Sequence, residues 1–425
     1  MSGLKQWIMG ICLVCCLVAL TACQPAADSD SSVVHLTLWQ GVNPPPNRDV
    51  LQKLVDKFNQ RHPDIQVESL YVGQGDQQMP KILAAVVGNA PPNLLWFAPT
   101  ITGQLVELNA IKPLEEWLAT TQVKDQIDPA LFESMQWEDQ TWSVPFGVNN
   151  VGIFYRPSLF KAAGVNQLPQ TWQEFRQVAR QLTIANKQHG MILPLGKGEW
   201  TVFTWLPFMW SGGGELMTDG ADGTDGSVQI YNPGAIAALH LWQDLLTDGS
   251  AILSQPERGY ELDDFLAGKV AMQLTGPWTL GQLQATNIDF AVMPIPADAR
   301  PATSIGGENL FVFKTTPTEE QASLVFAEYV LSEEFQTEWA IGTGYLPVNL
   351  KARKNLAYRQ FAQQQPAVDV FLKQAKYGRS RPIFPGYSRI SENLGRAIET
   401  VLLQKGTPEA ALQTSQKRLE LSLTP

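Results

Sequence analysis

The sequence predicts an α/β fold spread over two domains, on three observations. A β-α-β-α-β run opens the body of the chain. Helix-start signals then recur between short apolar strands. About 400 residues remain once an N-terminal leader is set aside, too many for one hydrophobic core and right for two of ordinary size.

Residues 33–39 alternate Val34, Leu36 and Leu38 against His35, Thr37 and Trp39, the period of a half-buried strand. After Pro44-Pro45-Pro46, Asn47 is expected to cap a helix striped by Leu51, Leu54, Val55 and Phe58. Pro63 stops it. Residues 65–72 are a second strand, 77–87 a helix with Ile82, Leu83 and Val86 on one face, and 94–98 a third strand. Such a run builds a parallel sheet with helices on both faces. Ligands of such sheets gather at the carboxyl ends of the strands. Those ends carry Trp39-Gln40, Gly73-Gln74-Gly75-Asp76 and Phe97-Ala98-Pro99.

A second block follows Trp142. Residues 144–155 are extended, and Thr171 with Glu174 forms a capping box for a helix through Leu182. Residues 231–246 are helical, with Ile236, Leu239 and Leu246 inward. Residues 270–274 and 290–293 are short apolar strands. Thr318 with Gln321 reads as another capping box, for a helix ending near Leu331; Ser332 caps the next. Ser391 is expected to cap the last strong helix, striped by Leu394, Ala397, Ile398, Val401 and Leu402 and ended at Gly406. Asp219 to Gly226 is a surface turn, since no Glu closes it as a calcium loop requires.

All four cysteines, Cys12, Cys15, Cys16 and Cys23, lie near the start of the chain. Lys5, an uncharged apolar run over residues 8–19 and Leu20-Thr21-Ala22-Cys23 form a secretory signal with a bacterial lipobox. Residues 1–22 are then the signal, Cys23 the lipidated first residue, and 23–32 a polar tether. A retained signal-anchor helix is the competing reading, although the run is short of the ~18–20 residues that span a bilayer. The net charge of −10, with no basic block or aromatic-basic stripe, argues against nucleic acid as a partner.

Much chemistry is missing. The four histidines, His35, His62, His189 and His240, are never paired at helical spacing, so no metal site and no cofactor is expected. No phosphate loop and no Gly-x-Ser-x-Gly elbow occurs. The paired carboxylates Glu115-Glu116, Asp263-Asp264, Glu319-Glu320 and Glu333-Glu334 read as helix starts or solvated faces. A secreted glycosidase remains the rival from another class. Tryptophans near Gly or Pro (Trp39, Trp200, Trp205, Trp210, Trp278) instead suit stacking on sugar faces, with core packing as the plain alternative.

The chain resembles the extracellular solute-binding proteins of ABC importers, in the cluster that includes the maltose-binding and glycerol-3-phosphate-binding proteins. The resemblance rests on Leu36-Thr37-Leu38-Trp39, Gly88-Asn89-Ala90-Pro91-Pro92, Ile111-Lys112-Pro113-Leu114, Phe154-Tyr155-Arg156, Leu168-Pro169-Gln170-Thr171-Trp172, Gly276-Pro277-Trp278, Ile305-Gly306-Gly307 and Thr343-Gly344-Tyr345-Leu346-Pro347, in that order. It implies a two-lobe periplasmic-binding-protein fold with discontinuous lobes and a three-segment hinge. The N-terminal lobe would hold residues 31–146 plus 300–345, and the C-terminal lobe 147–299 plus 346–425. Crossings would fall near 144–151, near 293–304 and after Pro347.

The same resemblance implies a monomeric, membrane-anchored receptor that captures a carbohydrate, a disaccharide or glycosylated polyol, and delivers it to permease subunits without catalysis. A glycerol-3-phosphate or glycerophosphodiester ligand is the alternative within the class. The candidate ligand contacts are Trp39, Gln40, Gln74, Asp76, Asn149, Trp200, Trp210, Trp278, Gly307, Glu308, Tyr345, Arg381 and Tyr387. Carboxylates suit paired hydroxyls. Gly306-Gly307 would let backbone approach a ligand. Arg381 matches the position that meets phosphate in the glycerol-phosphate branch, and could equally fork onto sugar hydroxyls. Trp39 and Gln40 could as well be buried at the sheet edge, and Asp76 could be a helix cap.

Overall fold

The structure, a computed structural model, describes residues 33–218, 227–255 and 260–423. The expected signal, the lipidated Cys23, the tether and the Asp219 to Gly226 turn lie outside the described residues.

The opening run folds as expected. Val34–Gln40 pairs in parallel with Ile65–Tyr71 on one side and Leu94–Phe97 on the other. The helix Pro45–Arg61 buries Leu51, Leu54, Val55 and Phe58 against this sheet. Its start differs from expectation: Pro44 is the N-cap and Asn47 lies inside the first turn. The missing N–H of a proline costs nothing at a helix start, so the chain enters the helix earlier. Asn47 is thereby freed to donate from Nδ2 to the carbonyl of Trp278, 3.1 Å away.

The sheet is completed by distant chain. Thr303–Val312 runs antiparallel to Leu94–Phe97 at its C-terminal end and antiparallel to Val144–Asn150 along its middle. Its first residues pair in parallel with Gly378–Arg379. A second sheet has the order Ala291–Met293, Gly152–Tyr155, Val270–Thr275, His189–Leu193, Ala251–Leu253. The chain therefore leaves the first sheet after Asn150, enters the second at Gly152, and returns between Met293 and Thr303. These discontinuous sheets, each with flanking helices, form the two-lobe α/β fold.

Two further helix starts are corrected. The capping box at the head of Pro317–Leu331 is Thr316 with Glu319, not Thr318 with Gln321. Both pairs fit the spacing, and Pro317 at the first helical position decides for the earlier one. The helix Tyr387–Leu402 begins ahead of Ser391, which sits inside it with its hydroxyl turned to Glu199. A further helix, Pro408–Leu423, follows it. In Pro233–Thr247 the buried face carries Ala235, Ala238, Leu239, Trp242 and Leu245, while Ile236 and Leu246 are only partly covered. The Trp242 ring meets Phe208 edge-on at 5.5 Å, and this large contact rotates the stripe away from Ile236.

The helix Glu199–Ser211 links core and site. Every residue from Thr201 to Ser211 is buried. A helix apolar on all sides is a core helix, and its position is set by packing all round. Trp200, Trp205 and Trp210 all lie on it.

Candidate ligand-binding site

The N-terminus of that core helix faces the first sheet. Gly198 precedes it, and no side chain from its own segment caps it. Asp76, in the first turn of the helix Gly75–Val87, approaches instead: its Oδ1 accepts from the Glu199 N–H at 3.5 Å. A Cβ on Gly198 would stand 2.0 Å from the other carboxylate oxygen, so only glycine admits this approach. A carboxylate there is favoured by the unpaired N–H groups of the first turn.

Glu199, the first residue of the helix, is the centre of a polar cluster; its own side chain is 25 % exposed while its partners are buried. It accepts from Arg381 Nη1, from the Ser391 hydroxyl, and from the Tyr387 hydroxyl at 2.9 and 3.1 Å. Tyr387 is 2 % exposed. Burial, then the negative charge of Glu199, push its phenol well above the ordinary range. Burial alone would pull Arg381 down, but Glu199 and Tyr387 outweigh it and hold the guanidinium above its ordinary value. The guanidinium lies over the Phe203 ring at 4.5 Å, and its Nε–H has no protein acceptor.

Aromatic rings continue from there. Trp200 is tilted against Phe203 at 6.2 Å and meets Trp278 edge-on at 5.9 Å. Gly276 leaves room for the Trp278 ring, since a Cβ would lie 2.0 Å from it. Opposite run the crossing strands. Gly306 pairs with Asn149, Gly307 with Val148 and Glu308 with Gly147, and the register slips just after Glu308. Gly307 has φ +118°, and a Cβ there would strike the Gly147 carbonyl at 2.1 Å. A Cβ on Gly306 would meet Asn149 Oδ1 and the Phe203 ring. Glu308 Oε2 accepts from the Tyr345 hydroxyl at 3.0 Å, and Tyr345 leans on Trp339. A small pocket, partly open to solvent, is lined by Pro99, Thr100, Gly147, Gly306, Gly307 and Arg381, among others; of the candidate contacts, Gly307 and Arg381 line it.

Asp76, Asn149, Trp200, Trp278, Gly307, Glu308, Tyr345, Arg381 and Tyr387 are thus drawn into one neighbourhood by direct contacts. Trp39, Gln40 and Trp210 are not. Trp39 packs against the apolar layer of Ile82, Leu95 and Phe97. Gln40 is 4 % exposed; its oxygen accepts from the Val42 N–H at 2.8 Å and its amide donates to Ser69. Trp210 lies at the other end of the core helix, ~15 Å from Trp200 by helical rise, with Arg379 over its ring. Gln74 stands at the cap of its helix with a buried, unpartnered side-chain oxygen.

Sequence reasoning missed Glu199 and Phe203. An acidic residue in a first turn after glycine is the one local signal for Glu199. Nothing local identifies its partners, 182 to 192 positions downstream. The assembled groups offer rings, carboxylate acceptors and one forked donor, which suit a ligand carrying both C–H faces and hydroxyls. Among the described residues no three His, Cys, Asp or Glu side chains gather where a metal could sit, and no helix is long and apolar enough to cross a membrane.

Comparison with known proteins agrees with this architecture. The family profile of bacterial extracellular solute-binding proteins matches residues 53–368. The sn-glycerol-3-phosphate-binding periplasmic protein of Yersinia pestis is 24 % identical over 92 % of this chain and 93 % of its own. Among solved structures, an ABC transporter solute-binding protein of Thermotoga lettingae bound with alpha-D-tagatose superposes with a TM-score of 0.82 at 24 % identity, over 92 % of this chain and all of that one. A Mycobacterium tuberculosis protein in complex with glycerophosphocholine does so at 0.79 and 20 % identity, over 91 % and 97 %. The chain belongs to the bacterial extracellular solute-binding proteins of ABC transporters.

Proposed function

We propose that this protein is the lipid-anchored receptor of an ABC importer for a neutral carbohydrate, a disaccharide or glycosylated polyol, which it passes unchanged to membrane permease subunits. The lobes are residues 31–146 plus 300–345 and 147–299 plus 346–425, and the ligand lies between them. Trp200 and Trp278 supply stacking faces; Glu308, Asp76 and Tyr345 take hydroxyls; Cys23 carries the lipid. The single observation that carries this reading is the pairing of the Trp200–Trp278 rings with a guanidinium whose charge is already matched by Glu199. Flat apolar faces beside charge-balanced polar groups favour an uncharged, hydroxyl-rich ligand.

The test is a calorimetric and thermal-melting screen against neutral mono- and disaccharides and polyols. Binding of one of them, with a rise in melting temperature and an unaltered ligand recovered afterwards, is the expected result. No shift with any member, or release of reducing ends from a glycan, would sink the reading. A glycerol-phosphate ligand is the second reading, favoured by the presence of Arg381 at the pocket.

A further inference from the structure

We infer that Glu199 is a specificity-determining residue: by holding Arg381 it sets this site for uncharged ligands and excludes phosphate esters. The inference deepens the proposed binding role and rests on it. Arg381 lines the pocket beside Gly306 and Gly307, and its side chain is 6 % exposed. A buried guanidinium on a pocket wall is by itself the natural receptor for a phosphate, which it grips bidentately. Here one arm of the fork is committed to Glu199, and Glu199 is itself locked by Tyr387 and Ser391. Three donors on one carboxylate fix it in place beside the guanidinium.

Two consequences follow from charge. The Glu199–Arg381 pair is neutral as a unit, so a phosphate entering the pocket gains little net attraction. A phosphate gripping Arg381 would also come near the Glu199 carboxylate bonded to it, and like charges repel. The Nε–H of Arg381 is buried and has no protein acceptor. The pair is also protected: removing one member of a buried pair leaves an uncompensated charge, so a phosphate cannot cheaply displace Glu199.

Replacing Glu199 by Gln keeps the shape and the hydrogen-bonding oxygen but removes the negative charge. The probes are sn-glycerol-3-phosphate and inorganic phosphate, titrated calorimetrically into the purified wild-type and E199Q proteins beside the neutral sugar panel. The wild type is expected to show no phosphate-ester binding at millimolar concentration. E199Q is expected to gain at least about 10- to 100-fold affinity for sn-glycerol-3-phosphate, the scale of one buried charge–charge term. The double variant E199Q/R381Q, neutral again, should lose the gain. Should E199Q fail to melt cooperatively, Glu199→Asp draws the carboxylate back by one methylene, keeps the charge balance needed for folding, and should give a smaller gain in the same direction. Neutral-sugar binding by the wild type together with no gain in either variant overturns the inference while the proposed function stands. A gain in E199Q with no sugar bound by the wild type upholds the exclusion of phosphate esters alone and overturns the neutral-carbohydrate reading. Tight wild-type binding of the phosphate ester overturns both.

Discussion

Gly103 gives the sharpest test of the proposed lobes. It lies in the helix Thr102–Glu107, and its N–H donates to the Ile383 carbonyl at 2.9 Å. A Cβ at this position would stand 2.4 Å from the Pro385 nitrogen, 2.5 Å from its Cδ and 2.7 Å from the Phe384 carbonyl carbon. Ordinary contact begins near 3.4 Å, so Gly103→Ala requires the 383–385 segment to retreat by about 1 Å, far enough to weaken the backbone bond. Overpacking of this kind costs about 1–3 kcal/mol when the structure cannot yield. In the proposed assignment Gly103 belongs to one lobe and Pro385 to the other. The variant then avoids the whole cost by staying open, and the penalty falls on closure. Ligand affinity should drop by about 5- to 150-fold, while the ligand-free melting temperature moves by less than about 1 °C. Titration calorimetry reads the first and a melting curve without ligand reads the second. A drop of several degrees without ligand, with affinity intact, would show that the contact lies within one rigid unit and refute the lobe boundaries.

Other expectations are shorter. Trp200→Ala should weaken ligand binding by at least about 2- to 10-fold, given the ~0.5–1.5 kcal/mol an aromatic contact adds beyond its area, with little change in ligand-free melting. Trp210→Ala should behave in the opposite way, destabilising the fold by about 3–5 kcal/mol, because that ring is 2 % exposed in the core. Paired calorimetry and melting curves separate the two. Glu334 is held down to about 2 by the hydrogen bonds and charges of Arg61 and Lys57, below its ordinary 4.5. Its stabilisation is full above 4.5 and fades as pH falls toward 2, so Glu334→Gln should flatten the acid limb of the melting temperature against pH over that window and leave pH 7 to 8 slopes alone.

How much of this was legible depended on how local the signal was. The parallel sheet of the first lobe came from alternation at Val34, Leu36 and Leu38 and from the stripe through Leu51, Leu54, Val55 and Phe58, patterns set by strand and helix geometry alone. The Thr171–Glu174 capping box was read correctly for the same reason. Thr316 was misread as Thr318 because two overlapping boxes share one segment, and the proline rule that separates them was not applied. The site was legible where turn chemistry pointed to it, as at Gly306-Gly307, Gly276-Pro277-Trp278 and Tyr345. Glu199, by contrast, owes its importance to Arg381, Tyr387 and Ser391, and no periodicity links a residue to partners nearly two hundred positions away. Trp39 was a candidate for its place at the end of the first strand and Trp210 for the family resemblance; neither is brought into the Trp200–Trp278 neighbourhood.

Under the proposed lobe boundaries the contacts at this site divide into two kinds. Glu199, Phe203, Trp200, Trp278, Arg381, Tyr387 and Ser391 all fall in the proposed C-terminal lobe, and they hold one another through the buried helix Glu199–Ser211 and the helix Tyr387–Leu402. Opening the lobes need not disturb them, so the stacking faces and the balanced guanidinium stay organised while the ligand is absent, and their ordering cost is not charged against affinity. Asp76 to the Glu199 N–H, Gly103 to the Ile383 carbonyl and Asn47 to the Trp278 carbonyl instead bridge the two proposed lobes. By the same boundaries the Arg353–Asp128 ion pair and the Val348 N–H on Gln336 bridge the lobes as well, and each neutral polar contact is worth about 0.5–1.5 kcal/mol net. A ligand touching Trp200 and Trp278 on one side and Glu308 and Tyr345 on the other adds contacts that exist only when the lobes are shut. That differential is the only quantity by which a ligand can shift the balance toward the closed state.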